Sequence, residues 1–146
     1  MVWIGKRTPV LTIYKEFKVS FEYEHYLDLL PSHLRCLVSR LRLSILPVCV
    51  QTGPCAINRI PRNERYCLFG ETSDIDDEYN CKYVCPNLNH TRKRYINVYY
   101  YHSPSDFKYL ELVKSYDKST LFGLANFVRE ALRHRNNLQM PQLINR

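Results

Sequence analysis

Two stretches of this chain carry apolar residues at the spacing of an α-helix, and they constrain its fold more than any other feature. In the first stretch the apolar residues recur every three or four positions: Leu34, Leu37, Val38, Leu41 and Ile45. The second repeats the pattern near the C-terminus: Leu121, Ala125, Val128 and Leu132, widened by Phe122 and Leu124. Such a stripe is the buried side of an amphipathic helix. We therefore predict one helix from Pro31 and Ser32 to about Leu43 and another from Asp117–Ser119 to about His134, with both stripes in the core.

Weaker signals predict the rest of a small, mainly α domain. Glu24 to Leu30 reads as a short helix ending before Pro31. Ser103-Pro104-Ser105-Asp106 reads as the start of another, with Pro104 suited to its first turn. A third short helix is expected from about Asp76 to Tyr83, and Val10 to Phe21 favours a short strand or extended arm. With 146 residues, the chain is expected to form one domain. We predict four or five short helices around an irregular, zinc-knuckle-like central segment. The chain is expected to divide into an N-terminal arm over 1–22, a helical domain over 23–135 and a flexible tail over 136–146.

The charge balance favours a polyanionic partner. The chain has 21 Lys and Arg residues against 14 Asp and Glu residues, a formal net charge of +7. Such a charge acts through the long-range field and does not define a site, so a solvated basic surface is an equal alternative. No apolar run approaches the roughly 20 residues of a membrane span, and the N-terminus has no apolar stretch of signal-peptide length. We therefore expect an intracellular protein, cytoplasmic or nuclear, with no membrane partner and with its 6 cysteines not engaged in a disulfide framework.

A basic run beside tyrosines supplies the candidate nucleic-acid contacts. Arg92, Lys93 and Arg94 are consecutive, and Tyr95 and Tyr99 follow at a separation of one helical turn. Basic side chains neutralise phosphates while aromatic rings stack on unpaired bases, so this combination suits a single strand. The alternative is that the tyrosines pack with their hydroxyls outward and the basic run only faces solvent. Two further phosphate contacts are predicted upstream: Arg62 and Arg65.

The segment from Glu64 to Pro86 carries three cysteines and an acidic run. Cys67 is followed by a polar stretch, and Cys81 and Cys85 are four residues apart. Zinc requires about four nitrogen or sulfur ligands in a tetrahedron, often one pair from a turn and one from a following helix. The acidic residues between the cysteines suit the first turn of a helix, which we prefer to a catalytic role: Asp74, Asp76, Asp77 and Glu78.

These elements, in this order, resemble the C-terminal region of the reverse transcriptases of non-LTR retrotransposons, described as a zinc-binding domain in reverse transcriptase. The resemblance extends roughly from Phe21 to Arg135. The residues that match the motif of that family are Glu64, Arg65, Cys67, Glu78, Cys85 and Pro86. Where the family has its second cysteine and its histidine, this chain has Gly70 and Asn80. The resemblance therefore implies a degenerate copy in which Cys67 and Cys85 are the remaining metal ligands.

Two other residues are available to rebuild a zinc site with Cys67 and Cys85: Cys81 and His90. Apart from zinc on such a rebuilt set, no cofactor is expected. The family's catalytic carboxylates lie upstream of this region, and the chain has no Gly-x-Ser-x-Gly elbow. We therefore expect a non-enzyme.

The resulting hypothesis is a nucleic-acid-binding accessory module, for RNA or DNA, derived from a retrotransposon reverse transcriptase. Two alternatives stay open from the residues alone. One is a small helical protein-interaction or structural domain, for which the sequence indicates no particular partner. The other is a non-functional relic of a decayed element, which the two replaced ligand positions favour over a working zinc module.

Overall fold

The computed structural model describes residues 18, 20, 22–43, 45–46, 61–67, 73–75 and 79–143. Within these ranges the α-helices are α1 (Tyr26–Leu29), α2 (Ser32–Arg42), α3 (Asn89–Tyr95), α4 (Val98–Tyr101), α5 (Asp106–Lys114) and α6 (Lys118–Leu143). The described residues contain no strand and one isolated antiparallel bridge, between Tyr66 and Ile75. The prediction of a mainly α domain is thus confirmed. The strand predicted over Val10 to Phe21 lies almost wholly outside the described residues.

Helices α1 and α2 follow the predicted pattern closely. Leu30 leaves the helical conformation with ψ 142° directly before Pro31, because a proline disfavours the α conformation in the residue that precedes it. Pro31 then caps α2, whose apolar stripe is buried at Leu34, Val38 and Leu41. Ile45 lies beyond the helix and is exposed.

Helix α6 organises the fold, because α1, α2 and α3 all pack against it. Its predicted stripe is buried at Leu121, Ala125 and Val128. Two clusters of buried residues result. The smaller joins α1 and α2 to α6: Tyr26, Leu30, Leu34, Val38, Leu121 and Ala125. The larger gathers residues from α2, the central segment, α3, α5 and α6, including Leu41, Cys85, Leu88, Leu112 and Phe127.

Helix α6 is longer than predicted, continuing from His134 to Leu143. Residues 136–143, which we predicted as part of a flexible tail, therefore continue the helix. Asn136 and Asn137 do not end the helix. Asparagine in a helix is less favourable than alanine by no more than about 0.7 kcal/mol per residue, which is too little to stop a long helix.

In the central segment, the described helical turn ends at Val84, one residue after the predicted end. A turn of π-helix spans Asn80–Val84, whereas the prediction was a helix from Asp76 to Tyr83; residues 76–78 lie outside the described part of the chain. Cys85 is extended with ψ 117° before Pro86, and a 3-10 turn follows over Pro86–Leu88. The proline accounts for this break, since it excludes an α conformation at Cys85.

A second break separates Tyr95 from Tyr99, which we expected one turn apart on the same helix. Ile96 ends α3 with an extended backbone, and the Asn97 side chain caps α4 by accepting a hydrogen bond from the Tyr99 amide at 2.9 Å. Asparagine favours this capping role because its short side chain reaches the amides of the first turn. The two tyrosines therefore lie on different helices.

Arg42 is a charged residue of α2 that lies buried. Its guanidinium donates to the Glu24 carboxylate at 2.6 Å and to the Ser115 carbonyl oxygen at 3.2 Å. The same group lies 3.9 Å from the centroid of the Tyr26 ring. These contacts compensate the desolvation of the charge and exclude Arg42 from an exposed phosphate-binding face.

Across the described residues, none of the helices has the length and apolar character required to cross a membrane.

Candidate nucleic-acid interface and thiol cluster

Helix α3 carries the basic run, and it separates the three residues into two environments. Lys93 and Arg94 are exposed on one side, together with His90. These three residues share a face because positions three and four apart are neighbours on a helix. The Arg94 guanidinium lies 5.2 Å from the centroid of the Tyr95 ring. The exposed face of α3 thus combines two permanent cations with a half-buried aromatic ring.

Arg92, by contrast, was also predicted to contact phosphate but is buried, with 2% of its surface exposed. Its guanidinium donates to the carbonyl oxygens of Lys82 and Cys85, the latter at 3.0 Å, and to the side-chain oxygen of Asn89. Burial lowers the pKa of Arg92 from its ordinary value, but a guanidinium stays protonated because that value is so high. Arg92 joins α3 to the π-turn and to Cys85.

Lys82 lies beside this network and is also buried, with its ammonium 3.5 Å from the centroid of the Tyr109 ring. A cation over an aromatic face gains electrostatic energy, and the gain is larger when water is excluded. Arg92 and Lys82 are therefore both buried beside α3.

The other predicted nucleic-acid residues are dispersed. Arg62 lies in a 3-10 turn over Arg62–Glu64, and Arg65 is half-buried just after it. Tyr99 is 48% exposed, but its hydroxyl donates to the Glu111 carboxylate at 3.0 Å and its ring is covered by the Lys108 ammonium at 4.8 Å. That hydrogen bond is the main cause of the raised pKa of Tyr99. Its ring is nevertheless more exposed than that of Tyr95, which is half-buried and packs against the core.

The candidate metal ligands Cys67 and Cys85 are in contact. Their Sγ atoms are 3.9 Å apart, with the Cys67 thiol donating, and both residues are fully buried. The Cys67 hydrogen bond is the largest effect on the pKa of Cys85, which falls to about 7, while burial opposes the shift. The backbone amides of Asn87 and Leu88 also lower this pKa by donating to the Cys85 sulfur.

The full predicted set of four ligands is not assembled around these two thiols. Cys81 is buried in the same core cluster, whereas His90 is exposed on α3. Among the residues that the structure describes, no group of three or more His, Cys, Asp or Glu side chains is arranged to hold a metal ion. Zinc on these four residues stays a prediction.

Sequence reasoning did not identify a pocket next to the basic face of α3. The pocket has a volume of about 130 Å³ and lies where the end of α3, the start of α4, α5 and the start of α6 meet. Beside it, α3 approaches α6 closely at Gly123, where a Cβ would lie 2.3 Å from the Tyr95 carbonyl oxygen. The polar residues at its edge are Asn97, Tyr100, Ser119 and Thr120. Asn97 before an apolar helix is a capping signal, but nothing local indicates that it lines a pocket.

No protein-family model, curated protein or solved structure matches this chain.

Proposed function

We propose that this chain is a non-catalytic module that binds single-stranded nucleic acid through the exposed face of α3. The observation that carries the proposal is the placement of Lys93 and Arg94 together at the surface, with Arg94 5.2 Å from the Tyr95 ring. Their charges would neutralise adjacent phosphates, and release of counterions would supply most of the affinity. The net charge of +7 adds long-range attraction for a polyanion.

The preference for a single strand over a duplex rests on ring access and helix length. An aromatic ring can stack only on a base that is unpaired and unstacked. Helix α3 spans only Asn89–Tyr95 and is followed immediately by a break, so it offers a short contact face for reading base edges in a major groove. We therefore expect weak sequence preference and strong salt dependence.

The proposed origin of the module, in the C-terminal region of a retrotransposon reverse transcriptase, rests on the ordered sequence motifs alone. Its test is the genomic neighbourhood. A polymerase-like coding sequence immediately upstream and in the same frame would support this descent, and unrelated flanking sequence with no remnant of one would contradict it.

Binding is tested with short single-stranded RNA and DNA oligonucleotides by fluorescence anisotropy over a range of salt concentrations. The variant Lys93→Ala/Arg94→Ala is expected to reduce the slope of log affinity against log salt by about 1.4, because each lost phosphate contact contributes about 0.7 for a single strand. The matched control is Arg40→Ala/Lys114→Ala, which removes the same charge from exposed positions on α2 and α5. Its slope should remain near that of the unmodified chain.

Equal slopes in the α3 variant and the unmodified chain would contradict the assignment of the contacts to α3. Absence of binding by the unmodified chain at low salt, where charge attraction is strongest, would overturn the function itself. A protein-interaction domain or a relic would then be the better interpretation.

A further inference from the structure

The pocket beside Tyr95 presents mostly polar atoms. Two lining residues are apolar and buried, Ile96 and Leu112. Tyr95 and Tyr100 are half-buried around it, and Asn97 and Ser119 lie at exposed positions. Polar groups placed in this way can orient a small ligand through hydrogen bonds. At about 130 Å³ the pocket is smaller than the roughly 300–1,000 Å³ of sites for drug-sized ligands, so it has room for one ring system and not for a whole nucleotide.

Charges of opposite sign lie on two sides of this pocket. Arg94 accompanies Tyr95 on one side. On the other side Asp117 accepts a hydrogen bond from the amide of Thr120 at 2.8 Å, and Thr120 lines the pocket. The carboxylates of Glu111 and Asp117 add to the effect of burial in raising the pKa of Tyr100. A phosphate is therefore repelled on the Tyr100 side and attracted on the Arg94 side.

The hydrogen-bonding groups at the edge suit a neutral heterocycle. The side-chain oxygen of Asn97 is already engaged by the Tyr99 amide, which leaves the carboxamide NH₂ as a donor for a ring nitrogen or carbonyl oxygen. The hydroxyl oxygen of Ser119 can accept from an exocyclic amino group. The negative charges of Glu111 and Asp117 also favour a ligand with an amino group at this position over a ligand with a carbonyl oxygen there.

We propose that this pocket holds one base of the bound single strand, with the adjoining phosphate on Arg94, and that it prefers bases with an exocyclic amino group, such as adenine and cytosine, over uracil. This inference rests on the proposed function, since it specifies what the same α3 surface recognises. It adds recognition of a base edge to a face that the proposed function uses for phosphate contacts and for stacking on Tyr95.

The test fills the pocket and measures binding to short A, C and U oligonucleotides. Ser119→Trp places a large ring at an exposed lining position near the start of α6. Because one stacked base is lost, the affinity for A and C oligonucleotides should fall about 5- to 150-fold, with an unchanged salt slope. The matched control is Ser32→Trp, the same change at the exposed first residue of α2. The control should bind like the unmodified chain.

A second variant examines base preference without filling the pocket. Asn97→Ser keeps a good capping residue for α4 but removes the carboxamide donor. It should reduce the difference in affinity between C and U oligonucleotides, while the circular dichroism spectrum and melting temperature stay close to those of the unmodified chain.

Failure of the pocket is distinguishable from failure of the proposed function. If Ser119→Trp binds A, C and U oligonucleotides as the unmodified chain does, while Lys93→Ala/Arg94→Ala reduces the salt slope, the pocket proposal is overturned and nucleic-acid binding stands. Equal affinity of the unmodified chain for C and U oligonucleotides overturns the base preference. If the unmodified chain binds no oligonucleotide, both proposals are overturned.

Discussion

Replacing Gly123 by alanine tests the close packing of α3 on α6. The added Cβ would lie 2.3 Å from the Tyr95 carbonyl oxygen, and a real Cβ essentially never approaches within 3.0 Å, so the two helices must separate by at least about 0.7 Å. Overpacking of this kind costs typically about 1–3 kcal/mol. We expect the upper end, about 3 kcal/mol, because the obstructing atom belongs to the backbone and no side chain can rotate away.

Alanine also offers a gain that partly offsets this clash. A glycine in a helix interior is about 1 kcal/mol less favourable than alanine, so the net destabilisation should be about 2 kcal/mol. For a domain of this size that corresponds to a fall of about 4–8 °C in the melting temperature. The loss should be measurable by thermal and urea unfolding followed by circular dichroism. Because the wall of the pocket also shifts, the affinity for A and C oligonucleotides should fall with it.

Ser119→Ala serves as the control, since it removes an exposed hydroxyl from the same helix without a clash. Its melting temperature should be equal to that of the unmodified chain or slightly higher. If Gly123→Ala raised the melting temperature, as helix propensity alone would require, the close approach of Tyr95 to α6 would be refuted.

Two further predictions concern the buried charge and the thiols. Arg92→Met should destabilise the fold by roughly 2–5 kcal/mol in urea unfolding, because it leaves the carbonyl oxygens of Lys82 and Cys85 without this donor in the interior. The control Lys93→Met, at an exposed position, should change the free energy of unfolding by no more than about 0.5 kcal/mol. Equal effects of the two substitutions would contradict the burial of Arg92. Metal analysis of protein purified without chelator should give clearly substoichiometric zinc, because Gly70 and Asn80 stand where the resembled family has two of its four ligands. Stoichiometric zinc that Cys81→Ser removes would instead support the rebuilt site.

The predictable parts of the fold are those where a single local sequence feature is enough to define a helix or its end. The stripes around Val38 and Ala125 predicted α2 and α6 because apolar residues at helical spacing have few alternatives to a shared core. Pro31 predicted a break at Leu30, because proline restricts the residue before it whatever the tertiary context. The mainly α class follows from these features alone.

The candidate site was less predictable, because its chemistry depends on contacts between distant segments. Arg92 and Lys93 are neighbours of similar charge, and only the tertiary structure shows that Arg92 donates into the π-turn while Lys93 faces solvent. Tyr95 and Tyr99 lie on different helices because Asn97 acts as a cap. The free-energy difference between capping a new helix at Asn97 and continuing α3 through it is small, so the local sequence does not decide between them. Gly123 indicates a close approach in hindsight, but its sequence context does not identify the atom that approaches.

The position of α6 at the end of the chain has a consequence for synthesis on the ribosome. Leu34 and Val38 complete their cluster only with Leu121 and Ala125, so the apolar faces of α1 and α2 have no partner in α6 until that helix leaves the ribosome. At about 5–20 residues per second, the delay is on the order of ten seconds. During that interval the nascent chain presents a surface that chaperones bind, and a chain terminated before Leu121 could bury neither cluster in its native form.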